Sequence, residues 1–292
     1  MPPSGFLILD KPLGVTSRGA VDHAARWFPR GTRLGHTGTL DPLATGVLVI
    51  AVGLGTRLTD HVQRQQKTYR AGIRLGARSD TDDGEGTITT SDRIEPLPRE
   101  TIERTLREFV GIIEQVPPAF SAAKVNGRRA YVLARRGAAV DLRPRRVHIE
   151  AIHMIAYSFP DLEIDVRCGK GTYIRSLARD LGERLGCGAY LSSLRRTRIG
   201  PFDIAAALSV DVDADTARRS LCDLSWALAG VARVELNAID ADRFEQGQKL
   251  AWSGTEAAGE VAVFEMNGRF VGVGRIDDER RLRPVKVFHD VG

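Results

Sequence analysis

The sequence predicts a protein of mixed α and β structure. Strand-like segments, in which apolar residues are continuous or alternate with polar ones, are interspersed with helix-like segments that repeat apolar residues every three or four positions. No internal repeat and no low-complexity tract interrupts this pattern. A length of 292 residues is sufficient for one large domain or two unequal ones, each with its own apolar core. We therefore expect a large mixed domain, with room for a smaller one.

The strands and helices of the larger part follow from these patterns in chain order. The predicted strands are Phe6–Leu9, Val47–Val52, the alternating segment 69–75 and the alternating segment 162–168. The first predicted helix begins behind Thr16 and Ser17, the second carries Ile102, Leu106, Phe109 and Val110 and ends at Gly111, and the third runs from Ile174 to Leu185 and ends at Gly186.

The last part of the chain has a different character. After Ser209 an acidic stretch and the short segment DLSWALAG are typical of a connector, and strands resume at 261–264 and 270–273. We place a domain boundary near Val231, which gives domains 1–231 and 232–292. In the second domain we expect a hairpin centred on the GVG at 272–274 and a last strand led by Pro284.

The charge balance favours a polyanionic partner. The chain has 42 basic and 37 acidic residues, and the excess lies in the first part. Residues 236–292 hold 8 basic and 10 acidic side chains, whereas residues 1–235 hold 34 and 27. No apolar run approaches the roughly 18 residues of a membrane span, and the first residues resemble no secretion signal, so we expect a cytoplasmic protein without membrane contact. Three widely spaced cysteines argue against a disulfide framework and a structural zinc site.

A cluster of arginines lies in the middle of the chain. Between Arg128 and Arg146 there are seven arginines and one acid, Asp141, in a stretch interrupted by glycine and proline. This composition fits either a solvated surface loop or an arm that contacts phosphate groups.

The segment Gly35–Gly46, GHTGTLDPLATG, is the clearest candidate for a functional loop. Its one carboxylate, Asp41, lies between Leu40 and Pro42, immediately before a predicted buried strand. One interpretation is an Asx turn in which the carboxylate binds its own backbone. The other is a catalytic nucleophile or general base.

Two further segments offer groups that could complete such a site. The turn CGKGTYIRSL displays Lys170 and Arg175, and an arginine beside Asp41 would hold the carboxylate with both of its terminal nitrogens. An arginine there could equally pair with a surface acid. Tyr69 follows Lys67 at the start of a strand, where it could be an ordinary sheet residue or a ring on which a flipped base stacks.

Seven ordered blocks resemble the bacterial tRNA pseudouridine synthase B (TruB) family, which converts uridine 55 of the tRNA T loop to pseudouridine. They are GFLILDKPLGVTS, GHTGTLDPLATGVLVI, KTYRAGIRLG, SDTDDGEG, QVPPAFSAAKVNGRRAYVLARRG, CGKGTYIRSLARDLG and LSSLRRTRIGPF, and together they run through about the first 200 residues. The end of the chain resembles a PUA-type RNA-binding domain.

The resemblance implies an α+β enzyme with the pseudouridine synthase fold, a mixed and largely antiparallel sheet flanked by helices, and a small β-rich PUA-like domain. It implies a catalytic role for Asp41, Tyr69 and Arg175, and contact with the substrate for Leu194 and His36. Lys11 resembles a basic residue near the pocket that either binds the substrate through a phosphate group or has a structural role. Lys67 and Lys170 are further candidates for substrate binding. The segment 124–146, with Arg128, Arg129, Arg135 and Arg136, lies where the family has a loop that closes over RNA.

The implied chemistry requires no cofactor, because the isomerisation changes no oxidation state and transfers no outside group. The nearest resemblance to a metal site is Asp80, Asp82 and Asp83, but position twelve of that calcium-type loop is Ser91, so we expect no metal. The covalent route, through C1′ of the sugar or C6 of the base, stays open. The expected partner is the T stem-loop of tRNA, bound by a monomer without an obligate protein partner.

Two alternatives share part of the evidence. A synthase that depends on a guide RNA would have the same fold, catalytic motifs and PUA domain, but it would have less need of an arginine-rich arm. A non-catalytic tRNA-folding chaperone would explain the basic charge but not the combination of Asp41, Tyr69 and Arg175.

Overall fold

A computed structural model describes residues 3–90, 95–121 and 142–289, together with two short strands at 124–125 and 128–129. The strands before the arginine-rich segment are β1 (Gly5–Lys11), β2 (Leu34–His36), β3 (Ala44–Val52), β4 (Lys67–Leu75), β5 (Ala77–Ser79), β6 (Ile88–Thr90) and β7 (Gly111–Gln115). Those that follow are β8 (Lys124–Val125), β9 (Arg128–Arg129), β10 (Arg145–Ser158), β11 (Asp161–Cys168), β12 (Ala189–Ile199) and β13 (Phe202–Asp203). Five helices accompany them among the described residues: α1 (Ser17–Ala24), α2 (Thr59–Arg64), α3 (Arg99–Arg107), α4 (Ile174–Arg184) and α5 (Ala214–Arg219).

Nine of these strands form one large sheet. Its main order is β1-β3-β12-β4-β11-β10-β7, with β2 beside β3 and β13 beside β12. All the pairs are antiparallel except β12 with β3. The predicted mixed, largely antiparallel sheet is therefore confirmed.

The two faces of this sheet bury different cores. Because successive side chains of a strand point to opposite faces, Leu7 and Leu9 of β1 pack with α1, α3 and α4 on one side. Phe6 and Ile8 face the other side. The continuous apolar run of β3 follows from this burial on both faces.

A second sheet begins at Ala232. Its strands are β14 (Ala232–Leu236), β15 (Leu250–Ala251), β16 (Gly259–Glu265), β17 (Phe270–Ile276) and β18 (Arg281–Val287), with helix α6 (Ala238–Glu245) between β14 and β15. The order is β14-β16-β17-β18-β15. Phe264, Phe270 and Phe288 belong to the same buried core as Phe6 of β1, so the two sheets share this core.

Three expectations for individual segments are wrong. The GVG at 272–274 lies inside β17, and the hairpin turns instead at Gly268, which has a φ of 93°. A Cβ atom at Gly272 would lie 2.2 Å from the carbonyl oxygen of Lys286, which explains the glycine by close approach of a neighbouring strand. Pro284 lies within β18, opposite Gly274 at a shift of register, where a missing N–H group is tolerated. Val110 is 44% exposed because α3 ends at Arg107.

The segment predicted as a connector packs against the large sheet. Phe6 and Cys222 exchange two backbone hydrogen bonds, of 3.0 and 2.8 Å, and Leu224 and Leu228 are buried in the core behind β1. Within the described residues, no helix has the length and apolar character needed to cross a membrane.

Candidate active site

The loop that carries Asp41 is fixed at its base by α1. The Ser17 hydroxyl donates to the carbonyl oxygen of Leu40 and accepts from the Leu40 N–H group, both at 2.8 Å. Leu40 is buried, whereas the Asp41 side chain is 41% exposed. The Asp41 carbonyl oxygen accepts from the Ala44 N–H group at 3.0 Å, which closes a turn. The backbone is thus held while the carboxylate stays accessible.

Lys11 supports this loop from beneath. It is fully buried, and its ammonium donates to the carbonyl oxygens of Val15 at 2.6 Å, Pro12 at 2.9 Å and Pro42 at 3.5 Å. Burial lowers the pKa of Lys11, and the Asp41 carboxylate opposes this change. The ammonium is therefore enclosed by backbone oxygens and positions the turn that follows Asp41, which favours the structural role for Lys11, while its contact with the substrate stays a prediction.

Arg175 on α4 joins the Asp41 carboxylate to a second acid. One terminal nitrogen lies 2.9 Å from Oδ2 of Asp41, and the other lies 3.2 Å from Oδ2 of Asp83. The expected two-point grip on Asp41 is wrong, because the guanidinium divides its donors between two carboxylates. The same group donates to the carbonyl oxygens of Phe120 at 3.0 Å and Thr81 at 3.4 Å. Three separate loops thus meet at one buried cation.

Asp83 is the first site residue that the sequence analysis missed. It is 2% exposed, and its Oδ1 accepts from the Thr81 hydroxyl at 2.6 Å and the Glu85 N–H group at 3.0 Å. The neighbouring Asp82, with a φ of 63°, pairs instead with Arg179 at 2.8 Å. The two consecutive acids Asp82 and Asp83 are thus each paired with a different arginine of α4.

A cavity of about 540 Å³ opens beside the Asp41 carboxylate. Tyr69 on β4 and Leu194 on β12 both line it, along with Asp41, Lys67, Lys170, Arg175 and Arg196. Tyr69 is 9% exposed, and burial raises the pKa of its hydroxyl, so the phenol is neutral near pH 7. The three predicted catalytic side chains and Leu194 therefore surround one space.

The two lysines of this cavity differ in exposure. The Lys67 ammonium donates to the carbonyl oxygens of Gln63 and Gln65 at the C-terminal end of α2, where a cation is stabilised by the helix dipole. Burial lowers the pKa of Lys67 to about 8. Lys170 is exposed at the opening. Lys170 is accordingly the better placed of the two to meet a phosphate group.

His36 lines a second cavity, of about 460 Å³, on the other side of Asp41. Arg18, Asp83 and Arg175 also line it. Burial lowers the pKa of His36, with Arg196 and Arg18 acting in the same direction. Its Nδ1 atom is buried without a hydrogen-bond partner in the described part of the chain. A neutral imidazole with an unused ring nitrogen therefore faces a space that adjoins Asp41.

Arg196 is the second site residue that the sequence analysis missed. It is 2% exposed and lines the same cavity as Asp41 and Tyr69. The signal that could have found it is its position two residues after Leu194 on one strand, which places both side chains on one face.

The arginine-rich arm lies largely outside the described residues. Arg128 and Arg129 form β9, which pairs with β8. Arg135 and Arg136 lie outside the described residues, so the arm stays a prediction.

Three family models match the chain. The TruB family pseudouridylate synthase N-terminal domain matches residues 26–174, the tRNA pseudouridylate synthase B C-terminal domain matches 175–218, and the pseudouridine synthase II TruB C-terminal domain matches 232–288. The PUA label for the last of these stays a prediction.

Curated relatives cover nearly the whole chain. A tRNA pseudouridine synthase B of Xanthomonas euvesicatoria pv. vesicatoria is 42% identical over 99% of this chain and 95% of its own length. One from Azoarcus sp. strain BH72 is 42% identical over 97% of this chain and 94% of its own.

Two solved structures share the fold. A Cbf5-Nop10-Gar1 complex matches 97% of this chain and 84% of the other chain with a TM-score of 0.74 at 24% identity. An H/ACA RNP bound to a substrate RNA containing 2'-deoxyuridine matches the same shares with a TM-score of 0.75 at 23% identity.

Proposed function

The chain belongs to the TruB family of pseudouridylate synthases, and from this we propose that it converts uridine 55 in the T loop of tRNA to pseudouridine. The observation that carries the proposal is the Asp41 carboxylate, held by Arg175 at the edge of a cavity that Tyr69 and Leu194 also line. A volume of about 540 Å³ lies within the range of roughly 300 to 1,000 Å³ of small-molecule sites.

We propose the following division of roles. The uridine leaves the T loop, its base lies between the Tyr69 ring and the Leu194 side chain, and the unstacking cost of a few kcal/mol is offset by these new contacts. Asp41 attacks either C1′ of the ribose or C6 of the uracil. The bond from C1′ to N1 breaks, a bond from C1′ to C5 forms, and the C5 hydrogen leaves as a proton while N1 gains one. The balance needs no co-reactant.

The surrounding charge supports a nucleotide as the ligand. Lys67, Lys170, Arg175 and Arg196 line the cavity, and the opposing lining acid is Asp41. Such a field favours a substrate that carries phosphate groups. We propose that Lys170 contacts the RNA backbone at the opening, that His36 occupies space vacated within the T loop, and that the four arm arginines contact phosphates.

We also propose that the protein acts as a cytoplasmic monomer, without guide RNA or partner protein. The curated relatives span nearly the same length and are named as tRNA enzymes, whereas the two solved structures with this fold are complexes. The last domain is proposed to be a PUA-like module at 232–292, joined to the catalytic domain at 1–231.

Release of tritium from a T-stem-loop transcript with 5-tritiated uridine tests the function. Release by the purified chain alone, and its absence from a transcript with cytidine at position 55, is the expected outcome. Release only after addition of a guide RNA would support the guided synthase. Binding without release would support the chaperone.

A further inference from the structure

Arg196 is a buried cation that has no carboxylate partner in the part of the chain that the structure describes. It is also the largest of the almost completely buried side chains described there. Its Nε atom donates to the carbonyl oxygen of Val47 at 2.7 Å, and its terminal nitrogens donate to the carbonyl oxygens of Gly38 at 3.2 Å and Thr39 at 3.4 Å. Among the residues whose side chains are described, none forms an ion pair with it.

The preceding residue provides a contrast on the same strand. Arg195 grips the Asp10 carboxylate with both terminal nitrogens, at 2.7 and 3.1 Å, and its side chain is 41% exposed. This is the usual arrangement of an arginine near a protein surface. Because adjacent residues of a strand point to opposite faces, Arg196 is directed into the cavity that Asp41 lines.

Burying a guanidinium without a counter-charge is costly, and the three carbonyl oxygens offset only part of that cost. The three carbonyl oxygens that accept from Arg196 show which segments this side chain holds together. Gly38 and Thr39 belong to the loop that ends at Asp41, and Val47 belongs to the strand that continues from it. The backbone of Arg196 is paired with Gly46 on one side and with Tyr69 on the other.

The side chain also lies beside the second catalytic group. Arg196 and Tyr69 are paired on neighbouring strands, and both side chains line the cavity beside Asp41. The positive charge acts against the rise that burial causes in the pKa of Tyr69.

We propose that Arg196 is a positioning residue for the isomerisation, which fixes the Asp41 loop and the Tyr69 side chain relative to each other. This role rests on the proposed function, since it matters only if Asp41 and Tyr69 act on one bound base. Lysine cannot replace it, because a single ammonium lacks the planar fork that reaches three carbonyl oxygens at once.

The first test compares Arg196→Lys with Arg195→Lys in single-turnover conversion of a tRNA transcript. We expect the Arg196 variant to lose about 100-fold in rate, as a displaced catalytic group does, with tRNA affinity within about twofold of the parent. The Arg195 variant should keep most of the rate. Equal rates for the two variants, or a loss of affinity that matches the loss of rate, would overturn the proposal.

The second test needs no turnover. In protein labelled with 3-fluorotyrosine, the fluorine signal that disappears in Tyr69→Phe belongs to Tyr69. We expect Arg196→Gln to change the chemical shift of that signal and to raise the pH at which Tyr69 titrates, because the phenolate loses a neighbouring cation. Arg195→Gln should change neither the chemical shift nor the titration midpoint. Glutamine also removes the costly buried charge, so this variant should fold even if the lysine variant does not.

The two tests separate the possible failures. A parent protein that converts no tRNA would refute the proposed function, and the fluorine signal would still report whether Arg196 holds Tyr69. An unmoved signal in Arg196→Gln would refute the positioning role, whatever the parent does with tRNA.

Discussion

The surroundings of Asp41 and the C-terminal sheet differ in how deeply their ion pairs are buried. Beside the Asp41 loop, Arg175 of α4 pairs with Asp83, and the two side chains are 7% and 3% exposed. In the C-terminal sheet, Arg281 and Arg283 pair with Asp277 while each arginine side chain is more than 40% exposed. Exposed pairs contribute about 0 to 1 kcal/mol, whereas buried ions must overcome a large desolvation cost. The costly charges are thus concentrated around Asp41, which is the physical reason to look for chemistry there.

The charge of the C-terminal domain and the packing of its sheet point to different roles for that domain. Residues 232–292 hold 9 basic and 11 acidic residues, which leaves little net attraction for RNA. The apolar side chains of this sheet, however, share a buried core with Phe6 and Val49 of the large sheet. Removing everything after Val231 would therefore expose part of the catalytic domain's own core, and substitutions on the intact chain are the better way to compare the two regions.

The largest expected effect is that of Asp41→Asn. The amide has nearly the same volume but cannot act as a nucleophile or base, so turnover should fall by at least about 1,000-fold while tRNA affinity stays close to that of the parent. Tritium release and filter binding measure the two quantities. Asp10→Asn, which removes an acid paired with Arg195 outside the cavity, is the matched control. If both variants turn over alike, the buried-charge region is not where catalysis occurs.

The next largest effect is the difference in turnover between variants of two arginines that lie one turn apart on α4. Arg175→Lys should reduce turnover about 100-fold, because one ammonium cannot bridge Asp41 and Asp83. Arg179→Lys should cost less than about tenfold, since Arg179 pairs with Asp82 and Asp180 away from the Asp41 carboxylate. Asp83→Asn should resemble the Arg175 variant. A ranking in which the Arg179 variant is the slower of the two would contradict the assignment of Arg175 as the residue that holds Asp41.

The third effect is a change in the salt dependence of tRNA affinity, which shows which region of the protein contacts RNA phosphates. Replacing Arg128, Arg129, Arg135 and Arg136 with glutamine should flatten the plot of log affinity against log salt by up to about 0.9 for each phosphate that the arm no longer neutralises. The matched set is Arg233, Arg243, Arg275 and Arg281 of the C-terminal domain, which should change the slope by less than about one. A larger change from the C-terminal set would place the RNA-binding surface on that domain.

The sequence predicts the parts of this molecule that follow from local pattern. The continuous apolar run of β3 predicts a strand that is buried on both faces, and the alternation of apolar and polar residues in β4 and β11 predicts strands that are buried on one face. The structure has strands at all three places. The family resemblance implied that Asp41, Tyr69 and Arg175 belong to one site, and the three side chains line one cavity, while their catalytic roles stay predictions. The strands depend on residues that lie close together in sequence, whereas the shared site depends on three separate motifs.

Features set by long-range packing were beyond the sequence pattern. Lys11 precedes a proline and looks solvated, yet the turn after Asp41 encloses it. Asp83 is one of several closely spaced acids, and its burial depends on its ion pair with Arg175 of α4. For Lys11 and Asp83, a distant segment thus determines the burial of a charged side chain. Arg196 is different, because its position two residues after Leu194 on β12 already indicates which of two adjacent arginines faces inward.

The smallest expected effect lies where the two sheets meet. His61 of α2 is 7% exposed, and its Nδ1 atom lies 3.2 Å from the Glu260 carboxylate of β16. Burial lowers the pKa of His61 below its ordinary 6.5, the anion of Glu260 opposes this, and Lys286, Arg64 and Asp60 contribute less. Because the unfolded chain then binds the proton more tightly than the folded one, stability should be unaffected well above pH 6.5 and should fall as the pH drops through that value.

Thermal unfolding at about pH 8 and about pH 5.5 measures this contribution as the difference between the parent and two variants. His61→Gln should lose less stability on acidification than the parent, because it no longer has a buried imidazole to protonate. Glu260→Gln should lose more, since the folded imidazole then lacks the anion that eases its protonation. If His61→Gln loses as much stability as the parent, then the imidazole contributes nothing to the acid sensitivity of this contact. A smaller loss in Glu260→Gln than in the parent would instead mean that the carboxylate does not favour the charged imidazole.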